Sequence, residues 1–390
     1  MIKEKDNTIE VTGECCTGCN ACALVCPRNA IWMEENQKGF KYPYLDEGKC
    51  VNCGECRKVC PVLAERQGDK FEKRVYAVKV KELKKRRQSQ SGGAFTAFAE
   101  QILKEGGVVY GVSLNDKNDA VYARCTQLSQ LSKLKKSKYV EARMNDIYAF
   151  VKDDLIVGRE VLICGTPCAM TALRKYLDYC NIDMKKLLLC DLICHGVPST
   201  KIFKNYLQLI EWQYGRRVKD FDFRDKLRGN WWGHVCSFRV GIKRIISENY
   251  VKIFYSHLCL RESCYFCKFA SLDRCSDVTL GDYWGIEKIV NGFADRDGVS
   301  VCIIHSSKGN TWFEKISENI EYMETKVEDC LQPNLVKPTD KPNDYDGFWD
   351  VYENKGFEAA AFQYCNYDPK SDYVYKKKRL IKKFDEKKAN

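Results

Sequence analysis

The spacing Cys16-x2-Cys19-x2-Cys22-x3-Cys26, followed at once by Pro27, recurs 34 residues later as Cys50-x2-Cys53-x2-Cys56-x3-Cys60, followed by Pro61. Few patterns constrain a chain more tightly. Three thiolates within seven residues can grip three irons of one 4Fe-4S cube. The proline after each fourth cysteine turns the chain away, so that this thiolate reaches the neighbouring cube. The pattern predicts two adjacent 4Fe-4S clusters with crossed ligation: Cys16, Cys19, Cys22 and Cys60 around one, Cys50, Cys53, Cys56 and Cys26 around the other. Zinc is the competing metal, but it favours paired C-x2-C knuckles closing a tetrahedron, unlike two complete copies with both prolines. Cys15 lies outside the register and reads as a spectator thiol.

Nine of the 23 cysteines fall between Cys15 and Cys60. Disulfide frameworks belong to short secreted chains, whereas clustered cysteine in 390 residues without a secretory pattern points to metal or redox chemistry. No apolar run is long enough to span a bilayer, and the chain is expected to be soluble and cytoplasmic. The net charge of +11 suggests nucleic acid until it is located. Lys81–Arg87, Lys133–Lys138 and Lys370–Asn390 contribute +4, +4 and +6, leaving the remainder near −3. Such runs are usually solvated helix faces or tails, and no nucleic-acid motif accompanies them.

Composition divides the chain. Residues 1–65 form the two-cluster ferredoxin-type α+β domain, and Ala64–Arg74 reads as a polar linker. Strand-like and helix-like segments then alternate through 75–215: strands at Val75–Val80, Val108–Leu114, Val121–Thr126, Val161–Cys164 and Leu187–Cys194, and helices at Gly92–Leu103, Met144–Val157, Pro167–Leu177 and Pro198–Tyr214. This alternation predicts an α/β body with a mostly parallel sheet. The pattern weakens over 216–330, where a strand at Val299–His305 and a helix at Thr311–Ile320 stand out. The extension 331–390 shows little beyond a basic tail. A second cysteine group, Cys259, Cys264, Cys267 and Cys275, leaves three readings open: a further iron–sulfur cluster, a zinc knuckle, or reduced structural thiols.

Six segments occur in order behind the cysteine motifs: Ser89-Gln-Ser-Gly-Gly-Ala-Phe-Thr96, Ser137-Lys-Tyr139, Cys164-Gly-Thr-Pro-Cys168, Cys194-His-Gly-Val-Pro-Ser199, Phe223-Arg-Asp-Lys226 and Thr279-Leu-Gly-Asp-Tyr-Trp-Gly285. From about residue 12 to residue 305 the chain resembles the beta subunits of coenzyme F420-reducing hydrogenases and F420-linked dehydrogenases. The resemblance implies FAD beside 4Fe-4S clusters, a flavin-binding body beginning at residue 75, and an oxidoreductase passing electrons between a ferredoxin-like carrier and an organic or deazaflavin substrate. A non-catalytic electron-transfer subunit of a larger complex is the alternative. Nucleic acid is not an expected partner, and oligomeric state is left open.

The residues are compatible with that implication. Ser91-Gly92-Gly93 opens a helix, where free N–H groups and the dipole suit a diphosphate, although a simple helix cap would look the same. Lys138 is positioned to neutralise a phosphate. Gly165-Thr166-Pro167 follows one expected strand and His195-Gly196-Val197-Pro198-Ser199 another, and ligands of open parallel sheets lie outside such strand ends. Both loops are therefore expected at one crevice, with His195 able to donate a proton or hydrogen bond. Cys168 and Cys194 read as cluster ligands, redox thiols or packing. Ala169 stands where the family pattern usually has glutamine, so any contact made by that amide is missing.

Overall fold

The computed structural model describes residues 8–374 apart from 64–70, 145, 230 and 232. Most of the expected linker, and the basic tail from residue 375, lie outside the described residues.

The cysteine repeat is a repeat of backbone conformation. Gly18 and Asn20 flank Cys19 with φ of 69° and 68°, and Asn52 and Gly54 flank Cys53 with φ of 55° and 73°. Glycine and asparagine exchange places between the copies because both tolerate left-handed backbone. Each left-handed pair leads into one helical turn, Ala21–Leu24 and Glu55–Lys58. Between the motifs, β1 (Ile31–Glu35) and β2 (Lys41–Leu45) pair antiparallel. Their turn docks on the body, where Ser199 Oγ donates to the Lys38 carbonyl at 2.5 Å and Thr200 Oγ1 to the Gly39 carbonyl at 3.1 Å.

The body continues with β3 (Arg74–Val80), β4 (Val108–Leu114), β5 (Ala120–Cys125), β6 (Val161–Gly165), β7 (Leu187–Leu192), β8 (Val218–Asp222), β9 (Cys236–Val240), β10 (Lys243–Ser247), β11 (Val278–Asp282), β12 (Ser300–Ile304), β13 (Ile320–Thr325) and β14 (Tyr373–Val374). Eight of these form one sheet in the order β13-β3-β12-β11-β7-β6-β4-β5. The central strands β11, β7, β6 and β4 pair in parallel. The antiparallel pairs at the margins turn β3 the same way, so five strands point in one direction and three in the other. Both faces are covered, which is why the central strands read as unbroken apolar runs. Leu162 and Leu188 pack beneath helices Ala94–Lys104 and Ser307–Ile316, while Ile163 and Leu189 pack against Ile147–Ile156 and Pro167–Tyr179.

Three features escape the sequence reading. β8, β9 and β10 form a second, antiparallel sheet with β14, and their short, charge-interrupted runs give little period-2 signal. The extension holds two helices, Tyr345–Lys355 and Phe357–Tyr364, and Tyr345, Phe348 and Trp349 of the first are buried. The helix expected through Ile320 stops at Ile316, and Ile320 opens β13 instead.

The loop before helix Ala94–Lys104 is wedged into the sheet. Gly92 donates to Ser300 Oγ at 2.9 Å and accepts from Val80 N at 2.8 Å. A Cβ there would lie 2.0 Å from the Val78 carbonyl oxygen and 2.6 Å from Ser300 N. Close packing of backbone on backbone therefore fixes this glycine, rather than the approach of an anion. G92A is expected to destabilise the protein by about 3 kcal/mol through overpacking, read as a lower urea midpoint at unchanged slope.

Candidate functional site

The structure gathers the N-terminal thiols into two groups. Cys19 and Cys22 lie within electrostatic reach of Cys16 and Cys60, and burial reinforced by these neighbours pushes the Cys19 thiol up to about 12. Cys56 lies within reach of Cys50, Cys53 and Cys26. The fourth cysteine of each motif thus sits with the other motif's first three. The second group is the outer one, with Cys53 exposed, whereas Cys22 and Cys60 of the first are buried.

A third group forms in the body. Cys264 lies near Cys194, Cys267 and Cys168, and these four line one small pocket. Cys168 follows β6 at the first turn of helix Pro167–Tyr179, and Cys194 follows β7. The grouping corrects the set Cys259, Cys264, Cys267 and Cys275. Cys259 is buried in the aromatic core with Sγ directed at the Ile253 carbonyl, and Cys275 is paired with Thr171 Oγ1 at 3.2 Å. Proximity in the chain misled because the contributing segments meet only across the sheet.

The three groups share a device. Backbone N–H groups two residues onward donate to Cys16 Sγ from Gly18, to Cys50 Sγ from Asn52 and to Cys194 Sγ from Gly196, each at 3.4 Å. Val197 N donates likewise to Cys264 Sγ at 3.4 Å. Such bonds favour the thiolate that a metal requires. Among the described residues no three His, Cys, Asp or Glu side chains close on a single metal ion. The open four-thiol arrangement fits a multi-iron cube better than a zinc knuckle.

A cavity of about 420 Å³ lies beside the third group, within the size range of small-molecule sites. Thr17, Cys168, Cys194, His195, Gly196 and Val197 line both spaces, so these loops form a shared wall. Ser91, Gly93, Gly165 and Thr166 also line the cavity, whereas Pro167 faces the thiol pocket. The loops after β6 and β7 meet at one crevice.

Lys138 lines the cavity too, but its ammonium donates to the carbonyls of Lys133, Lys135 and Lys136 at 3.1, 2.7 and 3.2 Å. All three of its N–H donors are engaged, so it is not the free phosphate partner expected. Burial lowers it to about 7. Burial also lowers His195 to about 4, with nearby His257 adding to the shift. Its imidazole is neutral at pH 7 and offers a hydrogen bond rather than a proton from a cation.

Asp282, at the end of β11, was missed by the sequence reading. It accepts from Ser91 Oγ, from Trp231 Nε1 at 2.9 Å and from the Arg224 guanidinium. Burial alone would raise its carboxyl, but Arg224 and these donors hold it below its ordinary value. Lys226 anchors the same loop by donating to the carbonyls of Arg86, Ser91 and Asp297. Both cations lie in the Phe223–Lys226 segment, so their presence was visible though their partner was not.

Residues 158–329 match the family model that describes the C-terminal part of the beta subunit of coenzyme F420 hydrogenase/dehydrogenase, and residues 15–64 match the 4Fe-4S dicluster domain. The chain belongs to the coenzyme F420 hydrogenase/dehydrogenase beta-subunit family. The coenzyme F420-dependent sulfite reductase of Methanocaldococcus jannaschii is 28% identical over 190 residues, 46% of this chain and 28% of that protein. The ketoisovalerate oxidoreductase subunit VorC of Methanothermobacter marburgensis is 39% identical over 49 residues, 12% of this chain and 61% of that protein. The chain therefore spans less than two thirds of either relative. A chain of the F420-reducing NiFe hydrogenase complex from Methanosarcina barkeri superposes with a TM-score of 0.43 at 17% identity, covering 77% of this chain and 93% of that one. As a member of this family, the protein is an iron–sulfur electron-transfer protein of oxidoreductase type. Among the described residues no helix is long and apolar enough to cross a membrane.

In this family member the N-terminal module is joined to the body at Arg261, which is 1% exposed. Its Nε donates to the Cys16 carbonyl at 2.7 Å, Nη1 to Glu141 at 2.7 Å and Nη2 to the Lys41 carbonyl at 2.5 Å. The guanidinium lies 4.4 Å from the Tyr42 ring and packs on Gly18. R261M is expected to lower stability by about 3–5 kcal/mol, because Glu141 is left buried and unpaired. In thermal or urea unfolding, the double variant R261M/E141Q should lose less than the two single changes summed.

Proposed function

We propose that the chain is an FAD-dependent iron–sulfur oxidoreductase. It takes electrons from a ferredoxin-like carrier at the exposed Cys53 face and delivers them to an organic or deazaflavin substrate. The wall shared by the four-thiol pocket and the 420 Å³ cavity carries this reading, because it would set a cluster directly against a ligand in the cavity. FAD supplies the junction, exchanging hydride with organic partners and single electrons with iron–sulfur centres.

The chain's own residues suit that ligand. The first-turn N–H groups of Phe95 and Thr96 have no hydrogen-bond partner among the described residues, and both residues line the cavity. They sit at the positive end of helix Ala94–Lys104, where a diphosphate is favoured. The Asp282–Arg224 pair and Lys226 hold the Gln90–Gly93 loop at that end. Neutral His195 supplies an N–H donor without adding charge. The F420 named in the sulfite reductase relative motivates a deazaflavin as substrate class.

Anaerobically purified protein is expected to contain about one flavin and about twelve irons per chain, three cubes in all. C264A should lose about four irons, and C259A none. Protein without flavin would sink the FAD reading. Protein with iron but no activity toward any acceptor as an isolated chain would favour an electron-transfer subunit.

His195 also makes a pH prediction. Because burial holds it near 4, turnover should show no ionisation near 6.5, the value of a free imidazole. H195A should lower kcat/KM by about 10- to 100-fold through a lost hydrogen bond, while H195Q retains most of it. A pH profile breaking near 6.5 that vanishes in H195Q would show a charged His195 instead.

A further inference from the structure

Arg274 lies in the wall of the four-thiol pocket with its side chain 1% exposed. Nε donates to the Ser271 carbonyl at 2.6 Å, and Nη1 reaches Asp191 Oδ1 at 3.5 Å and the Leu192 carbonyl at 3.4 Å. Nη2 has no hydrogen-bond partner among the described residues. A buried guanidinium N–H left unpaired is destabilising by about 1–3 kcal/mol or more, so an anion in the pocket would complete it. The other donors facing that space are thiols, and a 4Fe-4S cube on four thiolates carries a net charge of about −2 that becomes about −3 on reduction. Arg261 lines the same pocket, so two buried cations face one group of thiols.

The outer group differs. Its neighbours Lys49 and Lys58 are largely exposed and paired with Asp46 and Glu55, so solvent and salt screen them. The inner N-terminal group has Arg261 at the Cys16 carbonyl as its buried cation. Asp191 and Glu141 are the counter-charges, each lying on its arginine as a carboxylate partner.

We propose that Arg274 is a potential-setting positioning residue: with Arg261, it holds the cluster of Cys168, Cys194, Cys264 and Cys267 at a higher reduction potential than the two N-terminal clusters. A buried positive charge stabilises the more negative, reduced state of a nearby group most. Electrons from a reduced low-potential iron–sulfur donor, one at a time, therefore run from the Cys53 face inward and collect beside the cavity. The assignment rests on the proposed function, which places a cluster in this pocket.

Potentiometric titration followed by EPR, with iron counted, tests both on anaerobic full-length protein. The signal absent from C264A identifies the third cluster; if C264A keeps all its iron, the reading of function fails, and the assignment to Arg274 falls with it. With the cluster present, the third signal of the wild type should be the first to appear on reduction. R274Q should shift its one-electron equilibrium about tenfold toward the oxidised form, which is 59 mV, leaving the other two signals in place. R274M should do the same and R274K should stay near wild type. A third signal reduced last in the wild type overturns the proposal, as does a glutamine or methionine variant that leaves it unmoved. So does a lysine variant that shifts it as far as glutamine, since shape rather than charge would then be at work.

Discussion

The Arg261 guanidinium holds together two parts of the chain that have little else to fix their relation. It spends all of its donor directions at once, on the Cys16 carbonyl, the Lys41 carbonyl and Glu141, with Tyr42 stacked on its face. A planar fork of fixed donors can do this, and a lysine point charge cannot. The same residue organises the body from its backbone, since Arg261 N donates to the Val197 carbonyl and Leu260 bridges to Pro198. The loop carrying His195 and the segment carrying Cys264 are therefore registered by the residue that also seats the cysteine module. Three thiol groups and a cavity come into line through one buried cation.

Geometry at the thiols follows from local backbone rules. Left-handed residues beside Cys19 and Cys53 curl the chain so that successive cysteines face one centre. At Cys16, Cys50 and Cys194 the N–H two residues on turns back to the sulfur. The Cys194 turn has no sequence kinship with the N-terminal repeat, yet it makes the same bond, with Gly196 at φ 117° permitting the bend. An anionic sulfur in low dielectric requires these donors, and the chain supplies them wherever it gathers thiols.

The N-terminal eight cysteines were legible because their ligation is local: spacing within seven residues dictates which thiols can share a centre. The strands of the central sheet were legible because burial on both faces leaves unbroken apolar runs. The third thiol group was not, since Cys168, Cys194 and the Cys264/Cys267 pair come from three segments that only the sheet order β11-β7-β6 brings together. Spacing instead suggested Cys259 and Cys275, whose neighbours along the chain turn them into apolar or hydroxyl surroundings. Gly92 was read as a phosphate glycine for a similar reason. A glycine next to a helix N-terminus looks the same whether it admits an anion or, as here, the Val78 backbone.

The basic excess shows how charge is used in this fold. The runs that suggested nucleic acid are largely consumed inside the protein. In the first, Lys85 pairs with Glu100, Arg86 with Asp295 and Arg87 with Asp297. In the second, Lys135 meets Glu100, Lys136 meets Asp222, and Lys138 caps three carbonyls. Paired in this way, these groups project little field outward, and salt screens what remains. Arg224, Arg261 and Arg274 stand in no run, yet burial leaves their fields unscreened, and each lies within the walls of the cavity or the thiol pocket. Where a chain must favour electrons at an interior site, three isolated arginines out of water outweigh a dozen lysines in it.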